Sequence, residues 1–237
     1  MNKWIQTLFL SFFIALTTQV HAEDWFTVEV IIFANNGSEN LDDEYWQEIN
    51  AIPERASITL APPAANDEEL NAFQQLPGNL LSLHQEISRL VRSSKYRVLY
   101  HKGWMQPVSE TQNPKPVRIQ GGNILDNGMF ELDGYIAVGR GRYLHFRPDL
   151  YFSRTLTADE SQFLKKKQPS TEPSPLENEA TIPNAASNAT LAMQPIELFI
   201  PDTLTVNLKQ ARRMRSKELH FIDHPLFGVL VEIKPVK

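Results

Sequence analysis

Arg212, Arg213, Arg215 and Lys217 place four cations within six residues, and His220 and His224 follow, four apart. A guanidinium fork suits two-point recognition of carboxylates, so the run is a candidate grip on an anionic polymer. Arg140 and Arg142, with Arg147 beyond them, form a second basic cluster. The competing reading is that these charges solvate a hairpin or pair with Glu218, Asp223 or Glu232, where they contribute little. His220 and His224 have the spacing of two metal ligands on a helix. The surrounding Leu-His-Phe-Ile-Asp-His-Pro reads instead as a strand entering a turn, where such side chains lie about 13 Å apart. No third ligand is evident, and neither a metal nor a cofactor is expected. Trp104 offers a ring that could stack on a sugar, or a buried core residue.

Catalytic patterns are scarce. The chain has no cysteine, which excludes thiol chemistry and thiolate metal sites. It contains no G-x-S-x-G elbow, no S-x-x-K pair and no H-E-x-x-H. A pair of carboxylates for glycoside cleavage stays open, although many acids crowd into Glu39–Glu69, where nothing holds a pair in register. The formal net charge is −5, unevenly spread. Glu23 to Leu70 holds twelve acids against one base, Arg55, whereas the remainder is net basic. A net acidic chain bound for export is a poor nucleic-acid binder.

The elements that must carry these residues are mostly strands. "WFTVEVIIF" (Trp25–Phe33) turns Phe26, Val28, Val30 and Ile32 to one side. "NLLSLHQEISRLVRSS" (Asn79–Ser94) is the main amphipathic helix, with Leu80, Leu83, Ile87, Leu90 and Val91 as its stripe and Asn79 as N-cap. "KYRVLYHKGWMQPV" is a second strand, alternating Tyr96, Val98 and Tyr100 against Arg97, Leu99 and His101. "GYIAVGRGRYLHFRPDLYF" continues the β character, with Pro148 marking a turn. The C-terminal third reads as strands turning at Arg215-Ser216-Lys217 and Asp223-His224-Pro225, with Gly228 marking a bulge or a close approach. The expected fold is α+β: a single domain, residues 23–237, on a largely antiparallel sheet. An acidic loop, 38–78, carries no firm structure, and a Pro-rich, aromatic-free insertion, 168–195, is expected to be disordered. Residues 1–22 have the layout of a cleaved secretory signal, with Lys3, an apolar stretch and small residues before the cut. No later segment is apolar enough for a membrane anchor, and a soluble periplasmic chain is expected.

"WFTVEVIIF", "VLYHKGWMQPV", "GYIAVGRGRYLHF" and above all "RRMRSKELHFIDHPLFGVLVEI" resemble the hallmark segments of the CsiV family of periplasmic peptidoglycan-binding proteins. The resemblance implies a non-enzymatic accessory of cell-wall assembly in Gram-negative bacteria. It also implies association with peptidoglycan and with the lipoprotein that activates a class A penicillin-binding protein. It carries no map of the binding site. The candidate ligand-binding residues are therefore those of the chemistry above: Arg212, Arg213, Arg215, Lys217, His220, His224, Arg140, Arg142 and Trp104. The rival readings are a protein–protein adaptor with indirect wall association and a peptidoglycan hydrolase.

Overall fold

A computed structural model of the chain describes residues 24–37, 49, 51–63, 71–108, 113–167 and 203–236, with side chains for all of these except 163–167. The expected signal 1–22 and insertion 168–195 lie outside the described residues, as does much of the acidic loop.

Strand β1 (Asp24–Asn35) is apolar on both faces, and the fold buries both. It pairs antiparallel with β2 (Tyr96–Val108) on one side and β9 (Phe227–Pro235) on the other. Strand β8 (Leu219–His224) completes a first sheet in the order β2-β1-β9-β8. The second sheet runs β3 (Val117–Ile124), β4 (Phe130–Arg140), β5 (Leu144–Thr155) and β6 (Thr203–Lys209), and short β7 (Arg212–Met214) also pairs with β5. Phe26, Val28, Val30 and Ile32 pack into one core with Ile119, Ile136, Phe146, Phe152 and Val206 of the second sheet. The architecture is thus mostly β, two antiparallel sheets over a shared core, where α+β was expected.

The opposite face of β1 carries Ile31 and Phe33, which bury against Leu83, just before α1 (His84–Arg92), and against Ile87 and Leu90 of that helix. This helix is shorter than its apolar spacing suggests. Gly78–Leu80 forms a separate 3-10 turn, leaving Leu80 52% exposed and Val91 69% exposed, off the buried stripe. Asn79 does not cap it. Glu29, the one acid within the apolar part of β1, accepts the backbone N–H groups of Ser82 (2.6 Å) and Leu83 (3.0 Å), beside His101 at 2.9 Å. A carboxylate there satisfies donors that a helix start leaves open and complements its dipole. Burial pushes the Glu29 carboxyl up, but the His101 bond and the Ser82 and Leu83 donors outweigh it and hold it at about 2. A second helix, α2 (Ala158–Lys167), starts with a reciprocal box in which Thr157 and Glu160 each bond the other's backbone N–H.

Two strand expectations need correction. The alternation along β2 breaks at Leu99: Ile32 faces Tyr100 while Phe33 faces Val98, so a bulge sends both Leu99 and Tyr100 into the main core. Pro148 marks no turn but sits inside β5, the chain reversing at Gly141–Tyr143. A proline lacks an N–H for the ladder, and the flanking ladder is broken there. β6 ends at the Asp149–Lys209 pair, and β7 resumes at Phe146–Arg212. Within the acidic loop, residues 51–63 touch the second sheet through an isolated bridge between Ile58 and Val117, and Leu60 is buried in the core. Among the described residues no helix is long and apolar enough to cross a membrane.

Candidate functional site

The basic run does not form one hairpin. β7 belongs to the second sheet and β8 to the first, so Arg215-Ser216-Lys217 is a crossing between sheets. On β7, Arg213 lies opposite His145 and Arg212 opposite the core residue Phe146. Partners across a ladder share a face, so the two arginines leave the strand on opposite sides. Arg215 sits 3.6 Å from Glu218, an exposed pair of little net worth. Lys217 takes a positive φ of 66° and donates its N–H to Ile233 O at 2.8 Å, leaving its side chain exposed on the crossing.

The upstream cluster divides as well. Arg140 forms an ion pair with Asp24 at the start of β1, its guanidinium 6.0 Å from the Phe26 ring centroid. Arg142 and Tyr143 occupy the β4–β5 turn. The Arg213 guanidinium lies 4.2 Å from the Tyr143 ring centroid and that of Arg142 lies 5.6 Å from it. Two cations over one ring that is 39% exposed make a compact, water-facing group with both charge and an aromatic face. Among the described residues no carboxylate pairs with Arg142, Arg212 or Arg213.

The remaining expected site residues turn inward. Trp104 is 0% exposed. It faces the core opposite Val28, and its Nε1–H donates to Gln106 Oε1 at 2.7 Å, so it has no face to offer a sugar. His224 is folded into the β8–β9 turn, where Nδ1 accepts the N–H of Leu226 at 3.2 Å and the ring centroid lies 4.8 Å from that of Phe227. Burial pulls its pKa down to about 4 against the opposing pull of Asp223, so it is neutral at pH 7. His220 keeps a buried Nε2 without a hydrogen-bond partner. His224 is therefore no cation for an external carboxylate.

What the residue types did not reveal is the outer face of the second sheet. Along β5 the apolar Leu144, Phe146, Leu150 and Phe152 face the core, while His145, Arg147, Asp149 and Tyr151 alternate with them. That period-two pattern is the signal that finds this face. Arg55, the lone base of the acidic segment, is delivered to it by residues 51–63. It pairs with Asp149 at 2.6 Å, its backbone N–H donates to the Tyr135 hydroxyl at 3.0 Å, and its guanidinium lies 5.7 Å from the Tyr135 ring centroid. Arg118 binds Asp133 at 2.6 Å and also donates to the Tyr135 hydroxyl. Arg97 holds Glu131 through two bonds of 2.8 and 2.6 Å. Asp149 is further held by Asn207 Nδ2 at 3.0 Å and approached by Lys209 Nζ at 3.6 Å. Burial and then the Asp149 charge raise the pKa of the neighbouring Tyr151. Between these groups a groove of about 420 Å³ is lined by Arg55, Tyr135, Ala137, Arg147, Pro148 and Lys209, among others. The outer face thus combines engaged carboxylates with a cationic rim, and the Arg142–Tyr143–Arg213 group lies at its β7 end.

Comparison with curated proteins and with solved structures gives no match. A family model described as "Peptidoglycan-binding protein, CsiV" matches residues 5–236. That match spans essentially the whole chain, both sheets included, and the chain belongs to the CsiV family of peptidoglycan-binding proteins.

Proposed function

We propose that this chain is a non-enzymatic, periplasmic peptidoglycan-binding accessory of cell-wall assembly, and that it grips the wall at Arg142, Tyr143 and Arg213. The observation that carries the reading is the Arg213 guanidinium at 4.2 Å from the half-exposed Tyr143 ring, unpaired with any carboxylate among the described residues. Peptidoglycan presents free carboxylates on its peptides and apolar faces on its sugars. Guanidinium groups suit the first and a tyrosine ring the second. Arg212 leaves β7 on the opposite side from Arg213 and Lys217 lies on the crossing between the sheets, so neither is part of this group.

Among the described residues, the carboxylates held by hydrogen bonds and ion pairs favour binding over hydrolysis. A glycosidase acid needs a raised pKa to hold its proton, whereas Glu29 and Glu160 are both held at about 2. Asp133, Asp149 and Glu131 are each bound by an arginine. In keeping with the family resemblance, the chain acts with the lipoprotein activator of a class A penicillin-binding protein. A surface for such a partner is the edge strand β8, where Leu219 and Phe221 are exposed. This same feature supports the rival reading of an adaptor with indirect wall association. Purified protein spun down with purified sacculi separates the two: pelleting without any added partner is expected, and a protein that stays in the supernatant is an adaptor.

A further inference from the structure

The two edges of the first sheet differ. On β2 the edge is covered: the N–H groups of Phe73 and Leu76 donate to Met105 O and Gly103 O, each at 2.7 Å. The opposite edge, β8, pairs only with β9 among the described residues. The β8–β9 turn consists of Pro225 and Leu226. A two-residue turn makes His224–Phe227 a hydrogen-bonded pair, and with it Ile222–Val229 and His220–Val231. The backbone N–H and C=O groups of Leu219, Phe221 and Asp223 therefore point away from β9, toward the open edge. Natural edges are guarded by charges, prolines and bulges. On β8 the guards stand toward the ends. Pro225 and Asp223 lie at one end, and at the other a bulge sets Lys217, with its φ of 66°, and Glu218 against Ile233. Between them the outer face is apolar, with Leu219 43% and Phe221 47% exposed. The Phe221 ring stacks on Phe33 with centroids 6.2 Å apart, and Phe33 meets Tyr96 edge-on at 5.1 Å.

We infer that β8 pairs antiparallel with β8 of a second copy of this chain, about a two-fold axis at Phe221, joining two first sheets into one. The edge itself selects the register. With Phe221 opposite Phe221 and Leu219 opposite Asp223 of the copy, all three outward residues of each strand enter hydrogen-bonded pairs, about six bonds in all. A slip of two residues along the strand loses part of that set. Charge selects the same arrangement. The strand has a cation, Lys217, at its start and an anion, Asp223, at its end, and among the described residues neither is in an ion pair. An antiparallel copy brings Lys217 diagonal to Asp223 of the other chain, within reach of a long side chain. The aromatic row Tyr96–Phe33–Phe221 then continues across the axis, where ring pairs add to the burial of area. So small a contact makes a dimer that exchanges with monomer. The inference stands apart from the wall-binding reading, and a partner protein docked at β8 competes with the copy for one edge.

The test is sedimentation velocity of the purified chain over a wide concentration range, without sacculi or partner. A monomer–dimer equilibrium is expected, weakened about tenfold by Phe221→Lys, which places a charge on the axis. Asp223→Lys is expected to weaken it several-fold, and Lys217→Asp added to Asp223→Lys to restore it. Residues 217 and 223 lie about 20 Å apart along one strand, so such a rescue acts between copies. The chain has no cysteine, and introduced thiols report the register. An equimolar mixture of Leu219→Cys and Asp223→Cys should form a disulfide between copies on mild oxidation. Facing residues of a hydrogen-bonded pair lie about 5.5 Å apart, within reach of that bond. Leu219→Cys alone holds its two thiol positions about 13 Å apart and should cross-link far less. A chain that stays monomeric throughout overturns the inference and leaves β8 to a protein of different sequence. A dimer undiminished in folded Phe221→Lys overturns it too, as does cross-linking of Leu219→Cys alone as readily as of the mixture. Should Phe221→Lys fail to fold, the charge exchange and the thiol pair decide the matter by the same outcomes.

Discussion

Arg213 on β7 holds its guanidinium 4.2 Å from the centroid of the Tyr143 ring, tying the strand before the sheet crossing to the β4–β5 turn. The contact joins segments far apart in sequence and orders a cation without neutralising it. A cation over an exposed ring is stabilised by only about 0.5–1 kcal/mol, so the arrangement leaves the charge available to a ligand.

Salt should weaken wall binding. The charges at Arg142 and Arg213 are exposed, and the screening length falls from about 10 Å at 0.1 M to about 3 Å at 1 M salt. Sacculus co-sedimentation across that range is expected to fall several-fold. Salt-insensitive binding would assign the main contribution to stacking on Tyr143.

Trp104→Phe should destabilise the chain without impairing wall recognition. It removes the indole donor to Gln106, which is itself buried, and an unsatisfied buried polar group costs about 1–3 kcal/mol. Urea unfolding reports the first effect. Reduced co-sedimentation by the folded variant would show that the residue is part of the grip.

How much of this was legible from the residues depends on the range of the interaction. The inward set of β1 could be read because period-two alternation is local. So could the special character of Gly228: a Cβ there would lie 2.6 Å from Phe33 Cζ and 2.8 Å from Phe221 Cε2. The α1 cap could not, because its carboxylate comes from Glu29, more than fifty residues earlier, and Asn79 has the right type in the wrong place. Pro148 looks like a turn residue until the β6–β7 break is known. The arginine run looked like one patch because spacing cannot tell which sheet each residue joins. Arg55 was visible only as an odd base in an acidic stretch, its partner Asp149 lying far along the chain.

Glu29→Gln should cost about 1–3 kcal/mol, because the neutral amide is a weaker acceptor for Ser82 and Leu83 and places a donor among buried groups. The sign of its pH dependence follows from a folded pKa of about 2 against an ordinary 4.5. The stability it contributes is complete above 4.5 and is lost as pH falls toward 2. Urea midpoints at pH 7 and pH 3 for wild type and Glu29→Gln should converge at the lower pH. A gap that stays constant would contradict the cap.

His224 acts in a higher window. Its folded pKa, lowered to about 4 from an ordinary 6.5, means the unfolded chain takes up the proton first. Stability is therefore undiminished above 6.5 and falls as pH drops from 6.5 to 4. In His224→Gln that part of the slope should vanish from urea midpoints measured between those limits. An unchanged slope would mean that the ring is accessible to protons in the folded state.

The most direct test of the wall-binding account is co-sedimentation of the purified double variant Arg142→Glu, Arg213→Glu with purified sacculi at low salt, beside wild type. Both positions are at the surface or half-exposed, so the circular dichroism and urea midpoint should be close to wild type. The account predicts a loss of binding of about tenfold or more. A folded double variant that pellets as wild type does would contradict it.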